Sequence, residues 1–251
     1  LQALTSADFN ADGFMDLAAA DNGTNSVRII LNAGTGAGTF LAATNYAVGA
    51  NPFAITCGDF DGDGDIDLAV PNRDANNVSI LLNNGAGVFT TAVNYTVGTR
   101  PMSIVSGDFN NDGLLDLAVA NNMTNNMSIL INSTVTPGTF AAAVNYAAGT
   151  TPESVTAQDF DGDGDLDLAV ANFGSNNVMV FTNSNITPGT FSASGTYSVG
   201  TSPISITGGD FDGDGDMDIA TANSGSNNAS ILFNATPMTV LGNIPPFTPR
   251  P

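Results

Sequence analysis

Residues 58–67 read GDFDGDGDID, ten positions with three glycines and with five aspartates between Asp59 and Asp67. So much negative charge in one short segment needs a counterion, and the spacing indicates its kind. With Asp59 as position 1, carboxylates follow at positions 3, 5, 7 and 9 (Asp61, Asp63, Asp65, Asp67) and Gly64 occupies position 6. Carboxylates at 1, 3 and 5, a glycine for the sharp turn at 6 and a backbone carbonyl at 7 form the first half of a calcium-binding loop. An EF-hand also requires glutamate at position 12 and flanking helices. Position 12 is Val70, inside the strand-like run DLAV, so the aspartate at position 9 is expected to close the site instead.

The pattern recurs. Loops begin at Asp8, Asp59, Asp108, Asp159 and Asp210, separated by 51, 49, 51 and 51 residues. The expected ligands of the first are Asp8, Asn10, Asp12, the Phe14 carbonyl and Asp16. The second uses Asp59, Asp61, Asp63, the Asp65 carbonyl and Asp67; the third uses Asp108, Asn110, Asp112, the Leu114 carbonyl and Asp116. The fourth uses Asp159, Asp161, Asp163, the Asp165 carbonyl and Asp167, and the fifth Asp210, Asp212, Asp214, the Asp216 carbonyl and Asp218. All-oxygen ligands suit a hard cation, and a carboxylate-dense loop favours calcium over the more tightly hydrated magnesium. The expectation is about five calcium ions, one per loop.

A fixed period near fifty residues signals a solenoid or a propeller. Other landmarks keep the same step, with prolines at Pro52, Pro101, Pro152 and Pro203, and tyrosines at Tyr46, Tyr95, Tyr146 and Tyr197. Each unit holds about four runs rich in Val, Ile, Thr and aromatics; in the second they are FAITCGDF, IDLAVP, NVSILL and FTTAVNYTV. Four short strands per unit describe a propeller blade. The expected fold is therefore all-β, a β-propeller of five four-stranded blades with a calcium loop between the first and second strand of each. Blades are expected over about 1–50, 51–99, 100–150, 151–201 and 202–243, with a Pro-rich linker or tail at 244–251. The alternative is part of a larger, seven-bladed propeller.

Composition narrows the function. The chain has 24 acidic residues, four arginines, no lysine and no histidine, for a formal charge of −20. Such a surface repels nucleic acid and anionic membranes. The loops hold 21 of those 24 acids, so the acidity belongs chiefly to the metal sites. Two carboxylates about 5 Å apart repel by roughly 3 kcal/mol at an effective dielectric near 20, so the emptied loops are expected to splay or take up protons. The lone Cys57, in FAITCG, reads as a buried thiol. No apolar run reaches the roughly 20 residues of a membrane-spanning helix.

The unit Y-x-x-G-x-x-P-x-x-I-x-x-x-D-F-D-G-D-G-D-x-D-L-A-x-A-N, followed by N-V-S-I-L-x-N and G-T-F, resembles the FG-GAP or VCBS-type repeat of bacterial extracellular proteins and, more distantly, of integrin α-subunit propellers. The resemblance covers residues 1 to about 241. It implies a propeller with calcium between first and second strands, and adhesion or binding more often than catalysis.

Loops of a propeller alternate between two faces. On the face without calcium loops fall Asp21, Arg73, Asp74, Arg100 and Glu153, joined by Phe173 in ANFGSNN. Charge and an aromatic on loops of a rigid scaffold mark a candidate surface for a protein or glycan ligand. The expected function is an extracellular or cell-surface, calcium-stabilised binding or adhesion module, not an enzyme, partnered by further domains of a parent protein or by copies of itself. Alternatives are a subunit of a surface fibre or stalk and a non-catalytic domain of a polysaccharide-degrading enzyme.

Overall fold

The computed structural model describes residues 1–234 and, for the backbone, 239–244. Each period folds into one sheet. Blade 1 contains β1 (Ala3–Ala7), β2 (Asp16–Asp21), β3 (Ser26–Ile30) and β4 (Thr44–Ala47). Blade 2 contains β5 (Thr56–Gly58), β6 (Asp67–Asn72), β7 (Asn77–Leu81) and β8 (Val93–Thr96). Blade 3 contains β9 (Pro101–Gly107), β10 (Asp116–Asn121), β11 (Asn126–Leu130) and β12 (Val144–Ala147). Blade 4 contains β13 (Pro152–Gln158), β14 (Asp167–Asn172), β15 (Asn177–Asn183) and β16 (Phe191–Ser198). Blade 5 contains β17 (Pro203–Gly209), β18 (Asp218–Asn223), β19 (Asn228–Phe233) and β20 (Thr239–Ile244). Strands pair antiparallel in chain order within every sheet, so each intra-blade connection is a hairpin. Among the described residues there is no helix.

First strands of successive blades lie side by side. The Thr5 hydroxyl is 3.3 Å from the Cys57 thiol, and Thr56 is 3.3 Å from Ser106. Cys57 packs, half-buried, against the first apolar seam as a small hydrophobe.

The repeated D-L-A-V-A-N segment explains how blades stack. Both faces of β10 are covered, so all six of its residues are buried. Leu117 and Val119 point toward blade 2, whereas Ala118 and Ala120 point toward blade 4. Large side chains on one face meet small ones on the face opposite, which lets twisted sheets interdigitate at native density. The phenylalanine and tyrosine landmarks finish the seams. Phe9 meets Phe89 edge-to-face with centroids 5.6 Å apart, and Tyr46 meets the same ring at 5.5 Å. Phe60, Phe140 and Tyr95 repeat this between blades 2 and 3, and Phe109, Phe191 and Tyr146 between blades 3 and 4.

The end blades differ. On the outward flank of blade 1, Leu4, Met15 and Phe40 are exposed, although their counterparts Ile55, Ile66 and Phe89 pack into a seam. On the outward flank of blade 5, Phe211 is 45% exposed whereas its equivalents Phe9, Phe60, Phe109 and Phe160 are at most 4% exposed.

Two sequence expectations need correction. The run FTTAVNYTV is not one strand: Phe89 makes only an isolated bridge to Asn83, and pairing resumes at Val93. In blade 4 the equivalent run stays one strand from Phe191 to Ser198, although the Phe191 ring is seated in its seam in the same way. FAITCGDF supplies only the short β5, with Pro52 bridging Asn72. Of the expected tail at 244–251, Ile244 closes β20 and 245–251 lie outside the described residues.

Candidate metal centres

All five aspartate loops join the first and second strands of their blades, on one face. Their shape follows from side chains folding back onto the backbone. In the second loop the Asp59 carboxylate accepts N–H bonds from Gly62 (2.7 Å) and Gly64 (2.9 Å). Asp61 accepts from the Asp63 N–H at 3.3 Å, and Asp63 accepts from that of Asp65 at 2.9 Å. Gly64 has φ of 94°, and a Cβ there would meet nothing within 4 Å, so glycine is needed for conformation, not for space.

Position 9 is the anchor. Asp67, at the start of β6, has no solvent exposure; its carboxylate accepts the Phe60 N–H at 2.9 Å and the Asn83 N–H at 2.7 Å. Asp16, Asp116, Asp167 and Asp218 repeat both bonds. Burial pushes the carboxyls of Asp67 and Asp116 up to about 7 and that of Asp167 to about 6, against the two N–H bonds each accepts. Burial, and then the neighbouring Asp63 charge, raises Asp61. Such groups gain by sharing a cation.

Positions 1, 3 and 9 converge. In three loops, Asp59/Asp61/Asp67, Asp159/Asp161/Asp167 and Asp210/Asp212/Asp218 offer carboxylate oxygens all within 4.8 Å of one another, and these residues fit a metal ion. Asp63, Asp163 and Asp214 at position 5 are not among these converging groups. In the first and third loops asparagine replaces one acid, and the Asn10 and Asn110 amides donate to Asp12 (3.1 Å) and Asp112 (2.8 Å). These two loops hold a left-handed non-glycine at position 4, Ala11 (φ 56°) and Asn111 (φ 59°), where the others have Gly62, Gly162 and Gly213.

One set of residues escaped the sequence reading. The Asn83 side chain donates to the Ile66 carbonyl of its own loop (3.1 Å) and to the Phe9 carbonyl of the preceding blade's loop (2.8 Å). Asn132 does the same for Leu115 and Phe60, and Asn183 for Leu166 and Phe109. Asn234 reaches the Phe160 carbonyl. Because the Asn83 backbone N–H also holds Asp67, adjacent loops are linked through a single residue. The signal was present in the asparagine closing each N-V-S-I-L-x-N run, which reads as an ordinary turn residue.

The opposite face separates the candidate ligand residues. Asp21 is taken by its own blade, pairing with Arg28 at 2.5 Å and accepting the Gly23 N–H. Arg73, Asp74 and Arg100 line one cavity between blades 2 and 3. Glu153 is half-buried and accepts from the Asn122 amide at 2.7 Å; Phe173 is exposed on the next loop.

Solved structures share this architecture. The BBS1N domain crystallised with ARL6DN matches with TM-score 0.67 at 14% identity, over 96% of this chain and 67% of that one. A Bacteroides uniformis protein provisionally assigned as a 6-phosphogluconolactonase matches with TM-score 0.69 at 15% identity, over 97% and 71%. The Vibrio cholerae biofilm matrix protein Bap1 matches with TM-score 0.55 at 16% identity, over 91% of this chain and 36% of that one. At such identities the likeness concerns the fold alone. No curated protein matches the chain. Among the described residues no helix is long and apolar enough to cross a membrane. The FG-GAP-like repeat profile matches residues 8–70, 59–119, 108–170 and 159–221 in tandem, and the chain belongs to the FG-GAP-like repeat family as a β-propeller protein.

Proposed function

We propose that the chain is a calcium-stabilised, non-catalytic binding or adhesion module working outside the cell, where millimolar calcium fills sites of about 10⁻⁴ to 10⁻³ M affinity. The observation that carries this reading is the convergence of three carboxylates at equivalent places in three blades, one of the three buried in each loop. The first and third loops complete the set of five with an asparagine oxygen in place of one carboxylate. Calcium supplies positive charge there; the chain's own residues supply the turn, the buried anchor and the link to the next blade. The chain has no histidine or lysine to act as a general base, and its aspartate clusters are directed at metal.

The test is calorimetric titration of chelated protein with calcium, alongside thermal melting. About five ions should bind, and chelator should lower the melting midpoint by more than about 10 °C, restored by calcium but not by equimolar magnesium. Unchanged melting with no bound metal overturns the reading.

A specific observation favours a larger ring as the working form. Phe40 and Phe211 are the two halves of a seam of the Phe9–Phe89 kind, yet both are exposed. Further blades of the same repeat, supplied by the parent protein, would cover both flanks.

A further inference from the structure

Between blades 2 and 3, on the face away from the aspartate loops, a cavity of about 340 Å³ is lined by Arg73, Asp74, Asn76, Thr99, Arg100 and Met123. Two of the chain's four cationic side chains therefore open onto one depression in a molecule of net charge −20. Among the described residues the only contact ion pair is Arg28–Asp21; the Glu153 carboxylate acts on Arg73 without touching it, and Arg100 has no carboxylate partner. Both Nε atoms are shielded from solvent and have no hydrogen-bond acceptor. The nearby acids are engaged: Asp74 accepts from the Asn51 amide at 3.0 Å, and Glu153 accepts from Asn122.

The Arg73 guanidinium and the Arg100 backbone are also held in place. Arg73 lies over the Phe53 ring, 5.4 Å from its centroid. Arg100 has a left-handed backbone (φ 62°), fixed by its N–H donating to the Asn76 side chain at 2.9 Å. Oriented guanidinium groups without acceptors in a recess incur a desolvation cost that a bound anion offsets. Within the lining itself two cations face one acid, Asp74, while Glu153 acts on Arg73 from outside it, so Arg100 is the less compensated of the two. A planar carboxylate matches the guanidinium fork bidentately. Asn76 and Thr99 offer amide and hydroxyl groups to sugar hydroxyls, and Met123, 63% exposed, offers an apolar lip to a ring face. The volume is near the lower end for small-ligand sites and admits about one or two sugar rings. A peptide would seek a deeper apolar anchor than this lining provides.

We propose that this cavity binds a uronic acid residue of an acidic polysaccharide, with Arg73 and Arg100 holding its carboxylate. The inference rests on the reading of the chain as a binding module and names its ligand class. The test is titration of calcium-loaded protein, at fixed free calcium, with tri-galacturonic acid, its uncharged methyl ester and a triglutamate peptide, followed by NMR. The acid should bind saturably, and the ester and the peptide at least about tenfold more weakly. Arg73→Gln and Arg100→Gln should each weaken binding by about tenfold or more, and Arg28→Gln should leave it unchanged. Where a glutamine variant fails to fold, Arg100→Lys, which keeps the charge and loses the fork, should still bind measurably more weakly. Absence of saturable binding, or binding indifferent to both arginines, overturns the site; triglutamate binding as tightly as the sugar overturns the ligand class. Metal content measured on the same samples separates the two readings. Metal-loaded protein that ignores the sugar refutes this site alone, and metal-free protein that binds it through the arginines refutes the calcium reading alone.

Discussion

At the scale of single residues, the buried aspartates at position 9 set the response to pH. Their carboxyls are raised by burial to about 7 in Asp67 and Asp116, above the ordinary value of 3.8 that an unfolded chain retains. The metal-free folded protein therefore holds protons that the unfolded chain has released. Its stability is fully present below about pH 4 as far as these groups go, and is lost as pH rises through 7. Chelated protein should melt at a higher temperature at pH 5 than at pH 8. With calcium bound the order should reverse, because protons and metal compete for the same oxygens; melting curves in chelator and in excess calcium check both signs. Ala11 supports a second expectation. An L-residue with φ of 56° is strained by roughly 1 kcal/mol, and equivalent loops place glycine there. Ala11→Gly should stabilise the protein by about that amount in urea denaturation.

At the scale of elements, the asparagine after each third strand decides whether blades act separately. Because neighbouring loops lie in different blades, Asp63→Ala is expected to weaken the second site and leave the other four largely occupied. The structure adds a link between neighbours, since Asn132 donates to Leu115 of its own loop and Phe60 of the preceding one. Asn132→Ala strands two carbonyls in a buried environment and should cost about 1–3 kcal/mol. It should also weaken calcium binding in the second and third loops together, with little effect on the fifth. Site-resolved metal titration tests this, and a defect confined to one loop counts against the link.

The sequence showed the strand count, the loop positions and the blade order, because each follows from local pattern repeated at one period. It did not show that Asp59, Asp61 and Asp67 are the three whose oxygens draw within 4.8 Å of one another, since alternate spacing cannot say where a carboxylate points. Nor did it show that Arg100 is held left-handed, because that strain is set by Asn76 of the preceding blade. The asparagine links and the Arg100 backbone are contacts between units, whereas the carboxylate directions and the interrupted fourth strand are geometry within one.

At the scale of the whole molecule, stability resides in seams between blades, and four such cores join the five sheets. Phe60 is wholly buried in one seam, and Phe60→Ala should cost about 3–5 kcal/mol. Phe211 holds the same place in its blade but is 45% exposed, so Phe211→Ala should cost under about 1 kcal/mol. Paired denaturation curves decide; equal losses would mean that the fifth flank is covered in solution.

The asparagine bridges carry a consequence for how the protein empties. Interior loops are braced from both sides, whereas the Phe9 loop has no described bridge to an earlier blade and the Phe211 loop has none to a later one. For these five blades by themselves, ion release under a falling calcium gradient should therefore travel like fraying in a zipper, beginning at the first and fifth loops and reaching the third last.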